Sequence, residues 1–130
     1  MTDFTGKYKQ TSSDNLEALL KHQGVADDMI ARITSETQEL VFTKSGNGYT
    51  LQTIYPSHKR ETKFELGVEF TETFPNGHTL QSVFTADGNR LVRTGKGDKP
   101  MTVVHELTGN DLRVTMTSGP VVAVRTYAKQ

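Results

Sequence analysis

The chain has 130 residues and a mass of 14.4 kDa, the size of one ordinary domain, expected to span 1–130. Fifteen Lys and Arg balance fifteen Asp and Glu, which argues against a nucleic-acid binder, and the lack of Cys excludes disulfides, a thiolate nucleophile and cysteine metal ligands. The first residues carry no apolar signal core, and no apolar run reaches about 18 residues, so a cytoplasmic, soluble chain is expected.

Nineteen Thr and eleven Val make the chain rich in β-branched residues, which favour strands. A first strand is expected over 5–12. Ser13-Asp14-Asn15 then offers helix N-caps, and Leu16, Leu19 and Leu20 follow at helical spacing. Glu17 and Lys21 form an i,i+4 pair, and Gly24 closes the helix. A second helix starts near Asp27-Asp28, whose carboxylates suit its positive end, and runs through Met29, Ile30 and Ile33 to Ser35. Helices of about nine residues do not persist alone in water, so the pair must pack on something. An open barrel end is the natural support.

Beyond the helices, strands are expected at 38–45, 49–55, 59–65, 68–74, 78–86, 90–94, 101–108, 112–118 and 121–129. Turn residues separate them, among them Gly46-Asn47-Gly48, Pro75-Asn76-Gly77, Gly88-Asn89, Gly109-Asn110 and Gly119-Pro120. The expected architecture is all-β: a ten-stranded antiparallel up-and-down β-barrel with a helix-turn-helix lid over about 15–35. Closure hides the strand edges, and ten strands leave more interior than side chains fill. A modest apolar content of 34% agrees with an interior that holds water or a ligand.

On the last strand, alternation puts Val121, Ala123, Arg125 and Tyr127 on one face. Facing inward, the guanidinium and the phenol would meet a carboxylate; facing outward, Arg125 is an ordinary solvated side chain. His105 shares a face with Val103 and Leu107, either as a second polar anchor near Arg125 or simply held by a hydrogen bond. His22, His58 and His78 show no metal-site spacing. No nucleophile elbow, P-loop or dinucleotide fingerprint is present, and Glu69, Glu72 and Glu106 read as solvated faces. Neither catalytic residues nor a cofactor are expected. Leu16, Leu20, Met29 and Ile33 either touch a ligand or pin the lid, while Lys21, Arg32, Lys59 and Arg60 would form a basic collar toward anionic membranes.

Four segments carry a family resemblance: Phe4-Thr5-Gly6-Lys7-Tyr8-Lys9, Asn15 through Val25, Phe64-Glu65-Leu66-Gly67-Val68-Glu69-Phe70, and Val124-Arg125-Thr126-Tyr127. In this order they resemble the intracellular lipid-binding proteins, specifically the cytosolic fatty acid-binding proteins of the heart, adipocyte and myelin subgroup. Tyr8 stands where the family's opening has Trp. The resemblance implies a clam-like barrel that carries one long-chain fatty acid without chemistry, with its carboxylate on Arg125 and Tyr127. It also implies that Thr53, Leu16, Leu20, Val25, Met29, Ile33, Asn76, Val103, Val114 and Met116 line the cavity or portal. His105 falls where the family has another internal arginine, and Ser57-His58 where the heart-type portal has Phe-Lys. Alternatives are a carrier of a retinoid or bile acid, a small lipid-modifying enzyme acting through His105, and a secreted lipocalin. A monomer is expected.

Overall fold

The computed structural model describes residues 3–56, 59–73, 79–97 and 100–130. In chain order the elements are β1 (Gly6–Asp14), α1 (Leu16–His22), α2 (Asp27–Ser35), β2 (Glu39–Ser45), β3 (Gly48–Ile54) and β4 (Lys59–Glu65). They continue with β5 (Phe70–Thr73), β6 (Thr79–Asp87), β7 (Arg90–Lys96), β8 (Met101–Thr108), β9 (Asp111–Ser118) and β10 (Val121–Lys129). One antiparallel sheet holds every strand in the order β4-β3-β2-β1-β10-β9-β8-β7-β6-β5. Each strand pairs with its chain neighbour except across β4 and β5, and β1 joins β10, which curls the meander into a nearly closed barrel.

The seam between β4 and β5 is closed by side chains and by the loop between them. Phe64 stacks on Phe84 with centroids 3.6 Å apart, and Gly67 N–H donates to the Phe84 carbonyl at 2.8 Å. Arg60 of β4 reaches Glu72 of β5 at 2.8 Å. The aromatic half of the seam belongs to a larger cluster of Phe4, Tyr8, Phe42, Tyr49, Phe64 and Phe84, all buried. These rings lie toward the strand ends remote from the helices and fill that end of the barrel. The Tyr8 hydroxyl donates to the Phe4 carbonyl at 2.8 Å, so the phenol is satisfied inside the plug.

At the helical end, packing is looser. Met101, Met116, Leu51 and Thr53 keep partial exposure although they share the inner face with buried residues. α1 covers this end through Leu16 and Leu19, which pack with Ala123 and with half-buried Leu20, Ile33, Met101, Met116 and Val121. Two buried leucines contribute roughly 1.5–3 kcal/mol each, which a seven-residue helix needs to persist. α2 buries Ile30.

The helix start differs from the sequence expectation. Ser13 and Asp14 do not cap; they extend β1, opposite Arg125 and Val124 of β10. Asn15 sits at the N-cap with φ 61° and makes no capping bond, because its side-chain N–H₂ donates to the Val122 carbonyl at 2.8 Å. Ladder pairing and a tertiary tie outweigh local capping here. Gly24, with φ 82°, ends the turn as expected, and Glu17 and Lys21 pair at 3.2 Å.

Candidate functional site

Strand alternation along β10 buries Ala123, Arg125 and Tyr127 on the inner face. Of the two orientations open to Arg125, inward is the one the strand adopts. The β1 side of the site depends on an irregularity: register shifts between Gln10 and Ser12, the signature of a bulge at Thr11. Gln10 shares the inner face with Tyr8, and Gln38 shares it with Leu40 and Phe42.

Two side chains converge on one oxygen of a third. Arg125 Nη1 donates to Gln38 Oε1 at 2.9 Å, and the Tyr127 hydroxyl donates to the same oxygen. Arg125 Nη2 donates to Gln10 Oε1 at 2.9 Å, and Gln38 Nε2 donates to the Tyr55 hydroxyl at 2.7 Å. The remaining guanidinium donor, Arg125 Nε, is buried with no hydrogen-bond partner among the described residues. A buried guanidinium calls for an anion, and here neutral amide oxygens stand in for one. Burial pushes the Tyr127 hydroxyl up to about 12 against the lowering effect of Arg125, so the phenol stays a neutral donor.

His105 does not join this group. It lies in register with Val114, which in turn pairs with Arg125, so two strand spacings, about 10 Å, separate the backbones. Its Nδ1 lies 3.1 Å from the Leu91 carbonyl, and its ring meets Phe42 edge-on at 5.9 Å. A carbonyl can only accept, so Nδ1 carries the proton and the neutral ring's Nε2 is an acceptor. Burial pushes the imidazole down to about 4; the Leu91 hydrogen bond opposes this and Arg93 adds to it. His105 therefore offers no positive charge at neutral pH.

Of the other expected lining residues, Val103 and Val114 are buried on the inner wall, and Thr53 and Met116 are half-buried on it. Leu16 is buried under the lid, with Leu20, Val25, Met29 and Ile33 half-buried. His58 and Asn76 lie outside the described residues. Within the expected basic collar, Arg32 and Lys59 are exposed and Lys21 pairs with Glu17. Arg60 instead turns to Glu72, because that carboxylate is buried and needs a counter-charge.

Glu72 thus corrects a second expectation: it is 7% exposed, not a solvated face. It is held by Arg60, by Arg93 of β7, and by the Ser82 hydroxyl, which donates to Oε1 at 3.3 Å. Burial lowers the Arg93 guanidinium from its ordinary value, with Glu72 opposing and Arg60 adding. Glu106 reads correctly as a surface group and pairs with Arg90 at 3.0 Å.

The chain as a whole is similar to known proteins. The lipocalin / cytosolic fatty-acid binding protein family profile matches residues 5–130. A fatty acid-binding protein of Tyrophagus putrescentiae is 39% identical, over the whole of both chains. The crystal structure of a fatty acid-binding protein from Drosophila melanogaster brain tissue superposes with a TM-score of 0.93 at 38% identity, covering 97% of this chain and 99% of that one. A Schistosoma mansoni fatty acid-binding protein in complex with arachidonic acid gives a TM-score of 0.93 at 27% identity, covering 100% and 98%.

Proposed function

Because the chain belongs to the lipocalin / cytosolic fatty-acid binding protein family, we propose that it carries a long-chain fatty acid inside the barrel, carboxylate on Arg125 and Tyr127 and tail toward the lid. Carrying this reading is the convergence of Arg125 Nη1 and the Tyr127 hydroxyl on a single buried acceptor oxygen. One oxygen of a carboxylate takes the place of Gln38 Oε1 between Arg125 Nη1 and the Tyr127 hydroxyl, and the other takes the place of Gln10 Oε1 on Arg125 Nη2. The exchange replaces a neutral acceptor with a charged one, and charge-assisted bonds are the stronger kind. Gln38, once displaced, can turn its N–H₂ to the same carboxylate.

The tail supplies most of the affinity. Moving some fifteen methylenes out of water contributes about 0.8 kcal/mol each, about 12 kcal/mol before costs. Lost rigid-body and chain freedom takes back several kcal/mol, leaving about −8 to −10 kcal/mol, a Kd of micromolar to tens of nanomolar. Arg125 chiefly sets which end of the ligand goes in. The protein works as a carrier rather than an enzyme, as a cytoplasmic monomer, and releases its cargo at anionic membranes approached through Arg32 and Lys59.

Titration with a fatty acid and with its methyl ester tests the reading. The acid is expected to bind about tenfold or more tightly than the ester, and Arg125→Met to erase the difference. Equal affinity of acid and ester in the native protein contradicts it.

A further inference from the structure

A second polar feature lies on the inner wall, away from Arg125. Four successive strands each contribute one inward polar side chain: Glu72 from β5, Ser82 from β6, Arg93 from β7 and His105 from β8. The registers Glu72↔Leu80, Phe84↔Arg93 and Leu91↔His105 make each a diagonal neighbour of the next, so they form one oblique stripe. Apolar residues flank it on the same strands, with Leu80, Phe84, Leu91 and Val103 all buried. The seam needs a counter-charge for Glu72, and Arg60 at 2.8 Å already supplies one. Arg93, itself paired with Glu72, brings a second cation with further N–H donors inside the barrel, and His105 adds an acceptor that the seam does not use.

The chemistry of the stripe is mixed. Arg93 only donates, Glu72 and the Nε2 of neutral His105 only accept, and the Ser82 hydroxyl does both. A second carboxylate on the ligand would only accept, and it would face the Glu72 charge. A methylene would match none of these groups. A hydroxyl, which donates and accepts at once, fits.

We propose that this stripe is a second polar subsite that selects long-chain acids carrying a hydroxyl on the chain over the unsubstituted acid. The proposal rests on the fatty-acid reading above, since the Arg125 site fixes one end of the chain and the stripe reads a position farther along it. Arg93 is the main donor to the hydroxyl oxygen, and His105 or Glu72 accepts its proton.

Competition against a fluorescent fatty acid is the test, run on the whole chain with stearic acid and a series of hydroxystearic acids differing in hydroxyl position. At least one isomer is expected to bind about tenfold more tightly than stearic acid. The ratio of the two affinities should fall to about one in Arg93→Met and should drop in Ser82→Ala. Arg125→Met should weaken both ligands and leave the ratio in place. If no isomer exceeds stearic acid, or the preference survives both Arg93→Met and Ser82→Ala, the subsite is refuted while the fatty-acid reading stands. If neither acid binds, both fall. Should Arg93→Met fail to fold, the native ratio and Ser82→Ala decide.

Discussion

The side-chain oxygen of Gln38 lies 2.9 Å from Nη1 of Arg125, although 87 positions separate the two residues in sequence. That contact lets the protein bury a guanidinium before any ligand arrives. It also means that a carboxylate must compete with an internal group. Replacing Gln38 with Leu removes the competitor and leaves Arg125 Nη1 and the Tyr127 hydroxyl without their shared acceptor, destabilising the free protein by about 1–3 kcal/mol. Added fatty acid should then raise the melting temperature more in Gln38→Leu than in the native chain. A smaller rise would show that Gln38 supports the bound carboxylate more than it competes with it.

His105 links stability to pH. Its folded value is pushed down to about 4 from an ordinary 6.5, so between these limits the unfolded chain binds the proton and the folded one does not. Stability contributed by the neutral ring is present above 6.5 and is lost as pH falls toward 4, by about 3 kcal/mol in full. Urea melts across this range should show a slope that His105→Phe reduces.

Tyr127 and His105 both stay neutral around physiological pH, the first pushed up to about 12 and the second down to about 4. Fatty-acid affinity should therefore be nearly constant from about pH 6 to pH 9, with neither of these inner-wall groups titrating there. Fluorescence titration across that range checks it. Tyr127→Phe should weaken binding by roughly threefold to tenfold, the loss of one hydrogen bond.

Glu72 stands between two cations at the seam. Glu72→Leu leaves the Arg93 guanidinium, 14% exposed, inside the barrel without that counter-charge, at a cost of about 3–5 kcal/mol. Arg60→Gln should cost far less, about 1 kcal/mol or below, because its side chain is 35% exposed. Chemical denaturation distinguishes the two, and equal losses would contradict the assigned burial.

Gly46 and Gly48 flank the same hairpin turn but differ in what surrounds them. A Cβ at Gly48 would sit 1.9 Å from the Phe64 carbonyl oxygen, a backbone atom that cannot swing aside. At Gly46, with φ 56°, a Cβ meets nothing within 4 Å. Gly48→Ala should disrupt the β3–β4 pairing and lower the melting temperature sharply. Gly46→Ala should cost only the positive-φ penalty, about 1 kcal/mol.

Much of the barrel was legible from period-two alternation and turn residues: the β2 to β10 boundaries differ by at most two residues from those expected. The first helix starts later than its local sequence suggests, because Ser13, Asp14 and Asn15 are good caps locally and only the distant β10 gives them other partners. Arg125 and Tyr127 stood out as polar residues on an otherwise apolar face. Gln38 and Gln10 did not, since glutamine belongs to no motif. Their signal was alternation with Leu40, Phe42 and Tyr8, which already implied an inward side chain. Glu72 escaped because Phe70 and Glu72 lie on a short strand where alternation alone does not identify the buried face. Its burial follows from Arg60 and Arg93, which only the closed seam brings near.

A crystal structure with a bound long-chain fatty acid tests the central claim most directly. The account predicts carboxylate oxygens within hydrogen-bond distance of Arg125 and the Tyr127 hydroxyl, Gln38 Oε1 displaced, and the tail running toward Met116 and the lid. A carboxylate at the lid with its tail pointing into the barrel, and Gln38 still bonded to Arg125, would contradict it.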